Sequence, residues 1–409
     1  MPTVVLQPFR IDETSEYLRK RLELQDLAGI IDFNTLLEGL PLSIKQAVSF
    51  IEQNQITLEE YCHLYKEDFE SQTLELEKPE TRIAYRVLEL SLSKIAEKKP
   101  GVDERLSIFA YISPNGIDVS LLQSYYDSLD DFEGILELLT AYSIISQSSE
   151  ETEYKMHPLT QASLRLYYIK NNCYDKYAER TYNFLLPKLS YKEGILEDAQ
   201  RVSLLIPHTA ALCGLQSSLE DKAIAEMLHK IALHQHYAAG NYQTALKYYQ
   251  RALEINEKCY GRDHIQTASV LINLANAWGC LGEYETKKDM LKIGAEITEA
   301  HFGKDHPKTA IILINLANAW GSLGNYQCKR DLLVQALLII EKRYGRAHPQ
   351  TGITLANLGS ALLKLKEYEM AYECQSKAYK IFHKQFGEEN KHTRFSANQL
   401  KQIEGSQMK

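Results

Sequence analysis

Residues 303–344 read GKDHPKTAIILINLANAWGSLGNYQCKRDLLVQALLIIEKRY, and near-copies of this stretch lie on both sides of it. Gly261, Gly303, Gly345 and Gly387 recur at a step of 42 residues, as do Tyr242, Tyr284, Tyr326 and Tyr368. A fixed period of this length marks stacked supersecondary units, each burying its apolar face on the next. Within one unit the sequence predicts two helices. Asp305 is the expected N-cap and Pro307 sits in the first turn, where a missing N–H costs nothing. Helix A runs to about Ser322, Gly324 makes the turn, and helix B runs from Tyr326 to about Arg343. Leu313, Leu316, Ala317 and Trp320 share one arc of helix A and are its expected packing side. Asn315, Asn318 and Ser322 share the opposite arc. The preceding copy has Asn273, Asn276 and Cys280 there, and the following one Asn357, Ser360 and Lys364.

Residues 220–395 resemble the repeats of kinesin light chains, with their His-Pro start and Asn-Leu-Ala core in helix A. The resemblance implies a tetratricopeptide solenoid with helix A lining the concave face. It also implies that asparagines at the positions of Asn273, Asn315 and Asn357 hydrogen-bond an extended peptide, with Asn276 and Asn318 beside them in the groove. Asparagine is a mediocre helix former, so a merely solvated face would favour Glu or Lys. Five such bonds at about 1 kcal/mol net each reach only millimolar affinity, so a ligand needs apolar anchors or repeated motifs. Ser269, Ile272, Ile311 and Ile314 stand where a carboxylate clamp would need cations. Lys287 and Lys329 replace the small residues Ala245 and Ala371 at the helix crossing. They are expected to snorkel and, with Lys288 and Arg330, to be solvated, the alternative being a basic stripe for an acidic partner.

The remaining composition is that of a globular protein, with a formal net charge of −8 and 44% hydrophobic residues. It offers no global attraction to nucleic acid or anionic membrane. Seven scattered cysteines without a CxxC pair read as small buried side chains in a reducing compartment. The N-terminus lacks the pattern of a secretory signal, and the apolar run Ala310–Trp320 is too short to cross a bilayer. A cytoplasmic location is the expectation. His229, His234 and His236 cluster in sequence, but their spacing splits them around a helix, so no metal site is expected.

Upstream, Thr3–Leu6 reads as a short strand and Asp12–Leu24 as a helix; Thr57 and Glu60 form a capping box. Helices are expected over 81–95, 105–110, 118–126 and 132–139, then strands over 142–146 and 153–157, the order of a winged helix. No Lys or Arg lies between Arg105 and Lys155, a stretch rich in Asp and Glu, which argues against a DNA-binding wing. The run LLEGLPLSIKQAVSFIEQNQITLEEYCHLYKE, residues 36–67, resembles the helical segment that follows the nucleotide-binding core in NB-ARC proteins, STAND-type signal-transduction ATPases. IFAYISPNGIDVSLLQ and LLTAYSIISQSSEETEYKMHPLTQASLR resemble the winged helix of that family. The resemblance implies that Pro41, in Gly-Leu-Pro-Leu, lies against nucleotide and that His157, in Met-His-Pro, touches the β-phosphate of ADP. Pro158 departs from the family's Met-His-Asp. His157 also reads simply as a histidine at a strand end.

No GxxxxGK[ST] phosphate loop occurs in the 409 residues. If the resemblance holds, the chain begins after the nucleotide-binding half, Pro41 and His157 are relict contacts, and ADP or ATP binds only where the missing core is supplied. No cofactor, catalytic residue or enzymatic activity is expected. The expected architecture is mainly α: an ARC-like helical segment (1–78), a winged helix with a small hairpin (79–170), a helical connector broken at Pro187 and Pro207 (171–219), the repeats (220–400), and a tail (401–409). The expected function is binding of a protein or extended peptide, or the sensing half of an ADP/ATP-switched ATPase.

Overall fold

A computed structural model describes residues 7–23, 27–67, 78–126, 129–150, 152–190, 196–215 and 220–407. The strand expected at Thr3–Leu6 lies outside them. The chain divides into two units, one of Met1–Ser190 with Leu204–Leu219, the other of Tyr191–Ser203 with Glu220–Lys409.

The first unit begins with four short helices, α1 (Ile11–Leu22), α2 (Leu27–Leu36), α3 (Pro41–Asn54) and α4 (Leu58–Glu67). Their apolar stripes meet on Phe33, Phe50 and Tyr61, whose rings pack edge to face at 5.8 and 5.5 Å. Gly39 has φ +65°, and a Cβ there would lie 2.4 Å from the Phe9 carbonyl oxygen, so only glycine fits this turn. Pro41 then opens α3 at its first position. The capping box forms as expected: the Glu60 N–H donates to Thr57 Oγ1 and the Thr57 N–H to the Glu60 carboxylate, at 3.1 and 2.7 Å.

α5 (Pro79–Lys98) follows, then α6 (Val102–Tyr111), β1 (Ile117–Asp118), α7 (Val119–Gln123), α8 (Leu129–Ala141), β2 (Ile145–Gln147) and β3 (Glu153–Met156). The strands form one antiparallel sheet in the order β1-β3-β2, and the whole is a winged helix. The expected two-strand hairpin thus gains β1, a two-residue strand too short to show alternation. The second strand also starts later than expected, because Ser143 takes a left-handed φ of 55°. α9 (Pro158–Lys170) and α10 (Tyr174–Lys188) close the unit. Gln161 on α9 donates to the carbonyls of Phe109 and Ile112, satisfying groups at the end of α6 that the helix leaves without partners.

Of the two expected proline breaks, α10 does end one residue past Pro187, at Lys188, but no break occurs at Pro207. Pro187 lies in the last turn of α10 and Pro207 inside α11 (Leu196–Cys213), within which the division between the units falls. Pro207 is on an exposed face, where water can serve the carbonyl it leaves unbonded.

The second unit continues as helix pairs: α12 (Asp221–Tyr237) with α13 (Tyr242–Tyr260), α14 (Ile265–Cys280) with α15 (Tyr284–Phe302), α16 (Pro307–Ser322) with α17 (Tyr326–Tyr344), and α18 (Pro349–Lys364) with α19 (Tyr368–Phe386). α20 (Lys391–Gln407) stacks on α19 and touches α18. The A helices are also neighbours, α14 meeting both α12 and α16. The expected packing arc faces the neighbouring helices, with Leu316 and Ala317 buried and Leu313 and Trp320 partly so: Leu313 and Ala317 pack toward Leu333 and Ala336, Leu316 and Trp320 toward Ala275 and Leu291.

Each junction repeats one device. Gly261, Gly303 and Gly345 end the B helices, and their carbonyls accept from the hydroxyls of Thr267, Thr309 and Thr351 at 2.7–2.9 Å. His264, His306 and His348 stack on Tyr260, Phe302 and Tyr344 while Nδ1 accepts the N–H two residues on. The cap is therefore His306 and not Asp305. With Pro307 as the first helical residue the cap must be the one before it, and Asp305 is left exposed, pairing with Lys342 at 2.7 Å.

Candidate functional site

Helix A of each pair presents one face in register. It carries Ser269, Asn273, Asn276 and Cys280 on α14; Ile311, Asn315, Asn318 and Ser322 on α16; and Ile353, Asn357, Ser360 and Lys364 on α18. The 42-residue step extends it to Phe395, Gln399, Gln402 and Ser406 on α20, a further A helix that was assigned no groove residues from sequence. The five asparagines are all half-buried. A half-buried amide is partly withdrawn from water, so whether it has a partner decides what it can do.

Asn273 has two: its Nδ2 lies 3.1 Å from His229 Nε2 on α12 and donates to the Ser269 carbonyl at 3.1 Å. Asn315 and Asn357 have none among the described residues, and the reason lies in the repeat. Where α12 places His229, α14 and α16 place Leu271 and Leu313, which cannot receive a hydrogen bond. Asn276 and Asn318 are likewise without a side-chain partner among the described residues, whereas Gln399 donates to Gln402 at 3.4 Å. Of the clamp-position residues, Ile311 is 43% exposed on this face, but Ile314 is buried in one apolar cluster of the array and Ile272 packs against another, around Ala275 and Leu291.

The three clustered histidines go to three different places. His229 meets Asn273 and Tyr249, His234 Nε2 lies 2.8 Å from the Ala199 carbonyl, and His236 stacks on Tyr237 with Nε2 3.6 Å from Cys280 Sγ. Burial pushes the His229 pKa down to about 4 and lowers that of His236, which the Lys287 charge depresses further. Among the described residues no group of three His, Cys, Asp or Glu side chains is placed to hold a metal.

Lys287 and Lys329 are half-buried, and burial lowers the pKa of both. Each stem lies over a helix-A glycine: a Cβ on Gly279 would sit 2.5 Å from Lys287 Cδ, and one on Gly321 2.6 Å from Lys329 Cδ. In the flanking repeats the same two positions hold Tyr237 with Ala245 and Leu363 with Ala371. Size is conserved across the crossing, large with small or small with long. Their neighbours do not extend a basic stripe, because Lys288 pairs with Glu285 and Asp289, and Arg330 with Asp331 and Glu367. The cysteines depart from the expected burial. All seven are free thiols, but only Cys213 is buried and Cys280 is exposed.

In the first unit, Pro41 and His157 stand at the N-terminal ends of two helices. Pro41 begins α3, and His157 is the N-cap of α9, its Nδ1 accepting the Leu159 N–H at 3.1 Å, so it is a cap and not the end of a strand. The two helices touch directly, with Gln46 donating to Thr160 Oγ1 at 3.1 Å and to the Ser143 carbonyl at 3.2 Å. Burial lowers the His157 pKa, which favours the neutral imidazole that accepts this bond.

A sequence profile of the tetratricopeptide repeat matches residues 223–286, and a second matches 267–308 and 309–350. A nucleotide-binding leucine-rich repeat (NLR)-like protein of Hyaloscypha variabilis is 26% identical over 250 residues, 56% of this chain and 24% of its own length. The chain therefore spans about a quarter of that relative. Among solved structures, kinesin light chain TPR-like repeats from Podosopora anserina align at 21% identity over 46% of this chain and 91% of theirs, with a TM-score of 0.41. A STAND protein with a tetratricopeptide repeat sensor from Pyrococcus horikoshii aligns at 17% identity over 89% of this chain and 62% of its own, with a TM-score of 0.25. Residues 223–350 are thus matched as tetratricopeptide repeats.

Proposed function

We propose that the chain is a protein-recognition module whose repeat array binds an extended peptide or protein segment along the face of Asn276, Asn315, Asn318 and Asn357. The observation that carries this reading is the unpartnered, half-buried amide recurring at a fixed step on successive A helices. Each such amide offers one acceptor and two donors, the pattern a peptide backbone complements. Ile311, Ile353 and Phe395 run beside them in the same register and supply the apolar anchoring that amides alone cannot. Asn273 is the weakest contributor, since binding there must displace His229. The first unit is the scaffolding and regulatory part of this reading.

A displayed library of random twelve-residue peptides, selected on the full chain, tests it. Enriched peptides should lose at least about tenfold in affinity to the Asn315→Ala, Asn318→Ala, Asn357→Ala triple variant, roughly 0.5 kcal/mol per amide. Equal binding by that variant, or no enrichment at all, would sink the groove.

A second reading makes the chain the sensing half of an ADP/ATP-switched ATPase. It is favoured by the direct contact of α3 with α9, which brings together the helices that Pro41 and His157 begin, and by the similarity to an NLR-like protein. Phosphate binding then needs a loop outside these 409 residues. Titration calorimetry of the chain with ADP separates the readings, since saturable micromolar binding by this chain alone would contradict the relict role of Pro41 and His157.

A further inference from the structure

At the junction of α12 and α14 three side chains with reactive heads converge. Cys280, the last residue of α14, is exposed, and its Sγ lies 3.6 Å from His236 Nε2. His236 is 4% exposed, and its Nδ1 has no partner among the described residues, so the thiol is the polar group this imidazole faces. Lys287, laid across Gly279 next to Cys280, interacts electrostatically with both the thiol and the imidazole. A cation beside a thiol is a charge with which a thiolate can pair.

We propose that Cys280 is a reactive thiol that is oxidised by hydrogen peroxide, with His236 as the proton acceptor and Lys287 as the charge that supports the thiolate. His236 Nε2 takes the thiol proton. The thiolate sulfur attacks one peroxide oxygen, the O–O bond breaks, and Cys280 becomes a sulfenic acid. The departing hydroxide recovers the proton from His236 and leaves as water. Sulfur loses two electrons and peroxide gains them, so no further reductant or oxidant is needed.

The repeat supplies its own control. Ser322 stands at the Cys280 position of the next unit and is also exposed; Lys329 matches Lys287, but Trp278 stands where His236 does. Exposure and the lysine are kept there and the base is removed.

The experiment treats the full chain with substoichiometric hydrogen peroxide, traps sulfenic acid with dimedone, and maps it by peptide mass spectrometry. Cys280 should be labelled at least about tenfold faster than Cys328 and Cys374, which are half-buried. Lys287→Met keeps the stem over Gly279 and should slow labelling severalfold. Ser322→Cys in a Cys280→Ser background should label at the slow rate. His236→Gln should also slow labelling severalfold, and if it misfolds, the exposed Ser322→Cys variant still decides. Labelling of Cys280 no faster than that of Cys328, or of Ser322→Cys as fast as Cys280, would overturn the assignment.

Discussion

The first junction of the repeat array, α12 against α14, and the second, α14 against α16, share a backbone and differ in what they seal. At the first, His229 and His236 reach across to Asn273 and Cys280; at the second, Leu271 and Trp278 stand in those places, leaving Asn315 and Ser322 without them. The difference teaches that a helical repeat fixes where a side chain stands and not whether it is free. Asn273 has an internal partner and its repeat equivalent Asn315 has none, because the histidine is present at the first junction and replaced at the second.

Acid should expose this contrast most strongly. The fold depresses the His229 pKa to about 4 from 6.5, so it favours the neutral ring. Stability from this group is complete above about pH 6.5, falls as the unfolded chain takes up the proton, and levels off near pH 4. At about 1.4 kcal/mol per pH unit the loss is on the order of 3 kcal/mol by pH 4 and about 2 kcal/mol at pH 5. His236, also depressed, adds in the same direction. The histidine caps recur at the starts of α14, α16 and α18 and so do not separate the junctions. Amide hydrogen exchange at pH 7 and pH 5 should show protection lost first in α12–α14. His229→Leu, which converts the first junction toward the second, should flatten the difference, and uniform loss along the array would break the comparison.

The glycine–lysine crossing comes next. Gly321→Leu places a side chain where Lys329 already lies and should destabilise by about 2 kcal/mol, in the range of overpacked sites. Adding Lys329→Ala recreates the Leu363–Ala371 pair of the last repeat and should restore most of the loss. A double-mutant cycle in urea reads the coupling directly, and additive effects would mean that the two positions do not share one slot.

Much of this was legible in the sequence. The period, helix lengths, packing arc and turn at Gly324 follow from spacing alone, because each repeat buries the same face on its neighbour. The winged helix was legible as an order of elements, but β1 was not, since two residues carry no periodicity. α20 was missed as a source of groove residues because Gln399 and Gln402 replace asparagine there, although the step of 42 reaches them. What spacing could not give is partnership. The His229–Asn273 bond and the Lys287 slot depend on which residue faces which across two helices, and only comparison of whole columns, histidine against leucine and glycine against lysine, points to them.

The smallest effect tests that point most directly. Asn273→Ala removes the bonds to His229 and to the Ser269 carbonyl and leaves His229 Nε2 without its partner, a cost of about 1 kcal/mol, offset by roughly 0.5 kcal/mol from the better helix propensity of alanine. Asn315→Ala removes no bond within the chain and should gain that propensity alone. The two variants, identical in chemistry and in repeat position, should therefore move the urea midpoint of the array in opposite directions. If both stabilise it, the His229 contact contributes nothing in solution, and Asn273 joins the free amides as a full member of the binding face. If both destabilise it, Asn315 has an internal partner after all, and the groove loses its central residue.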